Sequence, residues 1–251
     1  YPKYIKCLFD KNPNIELVEG EVVSFNSQKG AVSSVVLKDG REFFCSAFLV
    51  TCGTFLNGLI HIGASSFSAG RLGEKPALGL TECLQKHGLK TGRLKTGTPP
   101  RLSKQSINWA LTKKALGDSL PAPFSLFTER PFFKKQEDCY IIKTNKTVHS
   151  VIHKNIALSA MFSGKITGAG PRYCPSIEDK IYRFQDNPSH LLFLEPEWKN
   201  SDQIYLNGFS TSLPEAVQKE ALRSIPALEN VSFIRPGYAI EYDYSPPYQL
   251  T

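Results

Sequence analysis

The sequence lacks any long hydrophobic run. No stretch of its 251 residues approaches the roughly 18 to 20 uncharged apolar residues that span a bilayer, and its start has no basic segment followed by an apolar one. An export signal and a membrane anchor are therefore not predicted. We expect a soluble protein of the cytoplasm, or of the mitochondrion if the source is a eukaryote.

Methionine is nearly missing as well. The one methionine is Met161, so no initiator is present, and the chain opens on Tyr1 and closes on Thr251. We interpret the sequence as an internal fragment of a longer protein. Its 41% apolar and 21% charged residues are typical of a globular chain that buries a sizeable core, as one large domain or two small ones.

Paired cysteines are also lacking. The six cysteines include no C-x-x-C pair and no ladder of the kind that small secreted domains use, which favours a reducing compartment. None has zinc-finger spacing to a histidine. His149 and His153 have metal-like spacing, but no third ligand follows them, so a partly exposed helix face is favoured over a zinc site. We predict no metal.

Positive charge is present in excess and is concentrated in one place. The net charge is +7, and residues 71–104 alone carry +6, from eight basic residues against two glutamates. Such clustering indicates a polyanionic ligand, either the pyrophosphate of a dinucleotide or an RNA backbone. A solvated helix face with a lysine-rich rim is an equally good interpretation of the charge alone.

Strand and helix patterns alternate along the chain. Residues 43–50 are almost continuously apolar, which predicts a strand covered on both faces, as in a parallel sheet. Residues 93–101 contain glycine and the pair Pro99-Pro100 and are predicted to form a loop. The class is mixed α/β. The other predicted segments are strands at 15–25, 32–37, 191–194 and 231–234, and helices at 78–86, 147–159 and 214–223.

Two segments rich in glycine, proline and basic residues have the composition of anion-binding loops, namely residues 93–101 and 166–180. Glycine lets backbone amides approach a phosphate, and arginine adds a bidentate partner. Gly168-Ala169-Gly170, however, is only half of a G-x-G-x-x-G pattern and follows no convincing strand. An ordinary turn is the favoured interpretation of that part.

Cys174 is the best candidate for a reactive side chain. It lies two residues after Arg172 and just before a possible helix start at Pro175-Ser176, where positive charge and free amides would lower the pKa of a thiol. A buried, inert cysteine is the alternative. The pairs Glu178/Asp179, Glu195/Glu197 and Glu241/Asp243 could include a general acid or base, and the sequence does not choose among them.

Several motifs together resemble the GidA/MnmG family. They run in the family's order across nearly the whole chain. The matching stretches are Gly53-Thr54-Phe55-Leu56-Asn57-Gly58, Ile60-His61-Ile62-Gly63, Ala69-Gly70-Arg71, residues 92–101, residues 170–180, Phe193-Leu194-Glu195-Pro196-Glu197, Ser210-Thr211-Ser212-Leu213-Pro214, and residues 235–243.

The resemblance implies a fold and an activity. The fold would be part of a glutathione-reductase-like, Rossmann-type FAD/NAD(P)-binding fold, with an inserted α+β NAD-binding domain. We assign residues 1–89 and 202–251 to the FAD domain and 90–201 to the insert. The enzyme would be a homodimer that uses FAD and NADH and forms a heterotetramer with the GTPase MnmE. Together they would add an aminomethyl-type group to carbon 5 of the wobble uridine of tRNA.

The resemblance also implies site residues. Cys174 matches a catalytic cysteine of the family. Val22 and Ala77 match FAD contacts, and many relatives carry serine at the second position, so only a backbone contact is expected there. Arg71, Arg93, Lys95 and Arg101 are assigned to a cleft for cofactor phosphates or tRNA. The residues matching the NAD segment are Gly170, Pro171, Arg172, Tyr173, Cys174, Pro175, Ser176, Ile177, Glu178, Asp179, Lys180, Ile181, Tyr182, Arg183 and Phe184.

Other functions stay open at this stage. The family's flavin fingerprint, its second cysteine and its GTPase-binding domain fall outside the sequence, so this fragment alone should be inactive. A related flavoprotein, the folate-dependent tRNA uridine methyltransferase, is the nearest alternative. A dinucleotide-dependent disulfide reductase would need a redox cysteine pair, which the sequence lacks. A non-catalytic NADH-binding module would describe the isolated fragment.

Overall fold

The computed structural model describes residues 2–133, 136–170 and 175–249. Its helices are α1 (Pro2–Asp10), α2 (Leu80–Lys86), α3 (Lys146–Lys154), α4 (Ile177–Arg183) and α5 (Glu215–Arg223). Its strands are β1 (Val22–Gln28), β2 (Ala31–Leu37), β3 (Glu42–Phe44), β4 (Leu59–Ile62), β5 (Ser65–Ser68), β6 (Gly92–Thr98), β7 (Arg101–Ser103), β8 (Lys113–Ala115), β9 (Cys139–Lys143), β10 (Leu191–Pro196), β11 (Gln203–Asn207), β12 (Phe233–Arg235) and β13 (Tyr238–Tyr244).

The strands form three sheets, within which neighbouring strands are antiparallel. Their orders are β1-β2-β3, then β12-β7-β11-β10-β9-β8, and β5-β4-β13-β6. With helices packed on the sheets, the mixed α/β class is confirmed. Within the described ranges, none of the helices combines the length and apolar character needed to cross a membrane.

The apolar segment at 43–50 does not form the predicted covered strand. Only β3 is regular there, as an edge strand paired with β2, and the chain after it has no regular structure up to residue 50. Phe44 is 84% exposed and Leu49 is 85% exposed. A short apolar run therefore did not distinguish a covered strand from an edge strand, because the hydrophobic pattern of a segment does not show which elements pack next to that segment.

The loop predicted at 93–101 is also wrong. Most of it forms β6, which pairs with β13 over seven residues. Gly97 lies within this strand, and a Cβ there would lie 3.4 Å from Ser210 Cβ, an ordinary contact distance. The pair Pro99-Pro100 then ends β6, and the chain enters the six-stranded sheet as β7. The prolines mark the passage between two sheets.

The predicted helices are found, with shifted ends. The helix predicted at 78–86 begins after Gly79, whose φ of 94° is a conformation that glycine adopts at little cost. The helix predicted at 147–159 ends at Lys154 and continues as a short 3₁₀ turn, Ile156–Leu158. The strand predicted at 15–25 begins only at Val22. Helix α1 has no buried residue and was not predicted.

The main hydrophobic core lies between the six-stranded sheet and helices α3, α4 and α5. Its completely buried members include Leu194 and Leu206 from the sheet and Ile152, Ile181 and Leu222 from the helices. Burial of each such side chain contributes about 1.5 to 3 kcal/mol to folding. The four-stranded sheet has only a small apolar cluster and buries charged side chains, which bring the site residues together.

Candidate functional site

An open, largely apolar cavity of about 600 Å³ lies where the three-stranded sheet meets helix α2. Val22 and Ala77, which lie 55 positions apart in the sequence, both line it. The other lining residues are Gly20, Glu21, Phe48, Leu49, Val50, Thr51, Cys52, Phe55, Leu56, Lys75, Pro76 and Leu80.

The backbone on both sides of this cavity is fixed. Ala77 N donates to Phe55 O at 2.9 Å, and Asn57 N donates to Ala77 O at 3.0 Å. Val22 begins β1 opposite Leu37. A cavity of this size and apolar character suits a flat ring system. Its described wall therefore fits the ring portion of a flavin. Lys75 is the one cation among the described lining residues.

Cys52 lines the same cavity, and burial raises the pKa of its thiol. A raised pKa keeps the side chain a neutral thiol at neutral pH and lowers its nucleophilicity. Cys52 therefore contributes to the apolar wall.

The predicted NAD segment is described in part. Pro171, Arg172, Tyr173 and Cys174 lie outside the described residues. From Ser176 on, the segment forms α4, which begins with a capping box: Ser176 Oγ accepts from Asp179 N, and Asp179 Oδ2 accepts from Ser176 N, both at 3.1 Å.

The side chains of α4 divide into two groups. Ile177 and Ile181 lie in the main core, while Tyr182, Arg183 and Phe184 are exposed. Lys180 Nζ donates to Gly208 O at 3.2 Å. The exposed side chains at the end of the segment can meet a ligand from solvent, whereas Ile177 and Ile181 cannot.

Glu178 of this segment is completely buried. Its Oε1 accepts hydrogen bonds from Ser212 N at 2.9 Å and from Ser159 Oγ at 3.1 Å, while its Oε2 has no partner among the described residues. Burial raises the pKa of Glu178 and outweighs these hydrogen bonds, which lower it. The carboxyl group therefore favours its protonated form more than an exposed glutamate does.

The glycine-containing turn at 167–170 already has an anionic partner within the protein. Thr167 N and Gly168 N donate to Glu241 Oε1 at 2.9 and 2.7 Å. A Cβ at Gly168 would lie 3.0 Å from the carbonyl carbon of Leu94, so a side chain would crowd the backbone of β6. The turn interpretation is consistent with this geometry, and these two amides bind a carboxylate instead of a phosphate.

Glu241 also pairs with a buried histidine. His61 Nε2 lies 2.9 Å from Glu241 Oε2, and His61 Nδ1 has no partner among the described residues. Burial alone would raise the pKa of Glu241, but hydrogen bonds from Gly168 N, His61 and Thr167 N together lower it below its ordinary value. Glu241 therefore acts as a charged anchor for the turn that leads into the predicted NAD segment.

Arg93 and Lys95 lie on β6 and face the acidic residues of β13 across the ladder. Arg93 Nη1 donates to Asp243 Oδ1 at 2.8 Å and to Asn57 O at 2.9 Å. Lys95 is buried opposite Glu241. The structure thus places Arg93 in an ion pair of the protein itself and buries Lys95 in the same strand.

Arg71 and Arg101 instead lie together, in a second cavity of about 330 Å³ that we name the arginine cavity. Glu74 raises the pKa of Arg71 by its hydrogen bond, so this guanidinium stays cationic. The complete lining is Arg71, Leu72, Glu74, Arg101, Glu197, Trp198, Arg235 and Tyr238. Sequence reasoning missed Trp198, Arg235 and Tyr238, because only the fold brings them next to Arg71.

The two helical histidines do not form a metal cluster. His149 Nε2 lies 2.8 Å from Thr144 Oγ1, and the ring packs 5.4 Å from that of His190. Within residues 2–133, 136–170 and 175–249, no group of three histidine, cysteine or acidic side chains could hold a metal ion.

The chain belongs to the family described as Glucose inhibited division protein A, whose family model matches residues 1–251. The resemblance to the GidA/MnmG family is thereby confirmed. The family is one of flavoproteins with a Rossmann-type FAD-binding fold.

Relatives share the sequence over its whole length. The chain is 49% identical over 251 residues to the tRNA uridine 5-carboxymethylaminomethyl modification enzyme MnmG of Chlorobium phaeobacteroides, covering 100% of the chain and 40% of that protein. It is 46% identical over 250 residues to the MnmG of Bdellovibrio bacteriovorus, covering 100% of the chain and 39% of that protein.

A solved structure has the same fold. Aquifex aeolicus GidA, in its form I crystal, matches with a TM-score of 0.91 and 45% identity, over 99% of this chain and 42% of the Aquifex chain. The chain therefore spans about two fifths of the length of the relatives it matches.

Proposed function

We propose that the full-length protein uses FAD and NADH to add an aminomethyl-type group to carbon 5 of the wobble uridine of tRNA, together with the GTPase MnmE. The 49% identity to a relative named as a tRNA uridine modification enzyme carries this proposal. A homodimer, a heterotetramer with MnmE and a cytoplasmic location belong to the same proposal. The described fragment would contribute cofactor-binding walls and would be inactive alone.

The cavity at Val22 and Ala77 supports a flavin at this place. Two residues that the resemblance assigned to FAD lie far apart in sequence and line one apolar cavity. Bound FAD and NADH would supply hydride-transfer chemistry, and the protein would supply orientation and exclusion of water. In this proposal residues 1–89 and 202–251 belong to the FAD domain and residues 90–201 to the NAD domain. The six-stranded sheet crosses the second of these boundaries, because β11 and β12 both pair with β7.

Filling the cavity tests the flavin assignment. We expect Ala77→Trp in the full-length protein to weaken FAD binding by about tenfold or more, because an indole would occupy the space of the flavin ring and a tenfold loss needs only 1.4 kcal/mol. The measurement is the flavin absorbance retained per protein after desalting, followed by titration with FAD.

Leu78→Trp is the matched control. Leu78 is exposed and does not line the cavity, so the same indole one position later should leave FAD binding unchanged. If a folded Ala77→Trp protein retained its full flavin content, the assignment of FAD to this cavity would be wrong.

Cys174 remains the proposed catalytic residue. In the full-length enzyme we expect Cys174→Ala to abolish formation of the modified uridine while FAD binding persists, because a thiolate would act on the uracil ring and not on the cofactor. Mass spectrometry of the nucleosides from treated tRNA measures this. It also identifies a methylated uridine, the product of the alternative methyltransferase. Normal turnover by the Cys174→Ala enzyme would show that Cys174 is a packing residue and not a catalytic one.

A further inference from the structure

The arginine cavity is built from four separate parts of the chain. Arg71 comes from the turn after β5, Arg101 from β7, Trp198 from the turn between β10 and β11, and Arg235 from β12. Val22, Ala77 and the described residues of the predicted NAD segment do not line it, whereas Arg71 and Arg101 belong to the cleft predicted for cofactor phosphates or tRNA. The cavity is therefore separate from the proposed FAD contacts at Val22 and Ala77 and from the described part of the NAD segment.

Arg101 forms the fixed floor of this cavity. Its Nε donates to Glu197 Oε1 at 3.0 Å, its Nη1 donates to Pro99 O at 2.8 Å, and its guanidinium lies 4.6 Å from the centre of the Tyr205 ring. These contacts hold the Arg101 guanidinium in place, and its bond to Glu197 positions that carboxylate.

Arg71 and Arg235 make fewer hydrogen bonds to the described residues than Arg101 does. The described bonds of Arg235 include Nη2 to Gln203 Oε1 at 3.0 Å, and Arg71 bonds Glu74. A guanidinium carries five N–H donors, so each of the two keeps donors for an anion in the cavity. Planar guanidinium groups are the preferred partners of phosphate oxygens.

Glu197 and Trp198 indicate a ligand that has a hydrogen-bond donor and a flat ring in addition to an anionic group. Glu197 Oε2 is buried and has no hydrogen-bond partner among the described residues, which is costly unless a ligand donates to it. Trp198 is 56% exposed beside it and offers a flat face. A free phosphate would satisfy only the arginines, whereas a nucleotide brings a phosphate, an N–H donor on its base and a ring to stack.

We propose that the arginine cavity binds one unpaired nucleotide of an RNA, with the phosphate against Arg71 and Arg235, the base on Trp198, and a base N–H donated to Glu197. This inference rests on the proposed function for the identity of the RNA as tRNA. Unpaired nucleotides are those whose bases are free to stack on an aromatic side chain.

The test uses the full-length, FAD-loaded protein and a fluorescein-labelled RNA hairpin with the anticodon loop of a substrate tRNA. We expect Trp198→Ala to weaken binding in fluorescence anisotropy by about 5- to 150-fold, the usual range for loss of one base stack. Trp198→Phe should restore most of the affinity. Tyr4→Ala, which removes an exposed aromatic ring from α1, should have no effect.

The salt dependence separates the roles of the two side chains. We expect Arg235→Ala to reduce the slope of log affinity against log salt concentration by about 0.7, the value for one phosphate contact to a single strand. Trp198→Ala should leave that slope unchanged, because stacking releases no counterions. Lys11→Ala, which removes an exposed cation that does not line the cavity, is the control for charge alone.

Three outcomes would overturn the inference. Unchanged RNA binding in both Trp198→Ala and Arg235→Ala would exclude the cavity as the RNA contact while leaving the proposed function intact if the parent modifies tRNA. Weakened NADH binding with unchanged RNA binding would reassign the cavity to the cofactor. A parent protein that binds no tRNA would instead refute the proposed function itself.

Discussion

Two glutamates of this chain have almost no solvent-exposed surface, yet their pKa values are shifted in opposite directions. Glu178 is 0% exposed and Glu241 is 3% exposed. The pKa of Glu178 is raised, with burial as the largest cause. Burial also acts to raise the pKa of Glu241, yet its hydrogen bonds lower the pKa overall.

The difference lies in how the two oxygens of each carboxylate are used. Glu241 accepts from two backbone amides on Oε1 and meets His61 on Oε2. Glu178 has its donors on Oε1 and none on Oε2. Hydrogen bonds to a carboxylate favour its charged form, so the donors on both oxygens of Glu241 oppose the effect of burial on the pKa more than donors on one oxygen of Glu178 do.

The surroundings of the two glutamates also differ. Glu178 lies next to the apolar core of the six-stranded sheet, whereas Glu241 lies on the face of the four-stranded sheet that also holds Asp243, Arg93 and Lys95. The six-stranded sheet is therefore held by hydrophobic packing, and the four-stranded sheet by packing and paired charges together. Only the second arrangement orders a glycine-containing turn beside the predicted NAD segment.

Removing the carboxylate of Glu241 should have the largest effect. We expect Glu241→Leu to destabilise the turn at 167–170 by about 3 to 5 kcal/mol, because a buried histidine and two amides lose their acceptor. Amide hydrogen exchange of the full-length protein, read on peptides that contain Thr167 and Gly168, measures this locally.

Glu241→Gln is the matched control for charge. Its side-chain carbonyl can still accept from the two amides, so exchange at the turn should increase much less than in Glu241→Leu. Equal protection of the turn in the parent and in Glu241→Leu would show that the strand bridge between Leu94 and Ala169 alone holds it.

Part of the fold and of the candidate site could be predicted from the sequence. The composition and the alternation of elements gave the mixed α/β class, and the apolar segments at 191–194 and 214–223 were found as β10 and α5 because their burial is one-sided and local. The family resemblance assigned Val22 and Ala77 to the same cofactor, and the two residues line one cavity. Local pattern was sufficient wherever an element buries a single apolar face.

The rest depended on contacts between distant segments. Residues 93–101 were predicted to form a loop because they contain glycine and the pair Pro99-Pro100, and only pairing with β13 makes most of them a strand. Glu241 is separated from Gly168 by 73 positions, and Trp198 from Arg71 by more than a hundred. No local signal in one sequence specifies such partners.

The pH dependence of stability should separate the two glutamates by a smaller effect. Because the pKa of Glu178 is raised in the folded protein, its stabilising contribution is complete below its ordinary pKa of 4.5 and is lost as the pH rises through the folded value. We expect Glu178→Gln, which cannot ionise, to gain thermal stability relative to the parent as the pH rises from 4.5 towards neutrality.

Glu241 has a lowered pKa, so its contribution is present above 4.5 and is lost as the pH falls through the folded value. Glu241→Gln should therefore be less stable than the parent above pH 4.5, and this difference should shrink as the pH falls below 4.5. Melting temperatures of the full-length parent and both variants, measured from below pH 4.5 to neutrality, test the signs. If both variants shift in the same direction with pH, then donors do not distinguish these two carboxylates, and burial alone governs their charge.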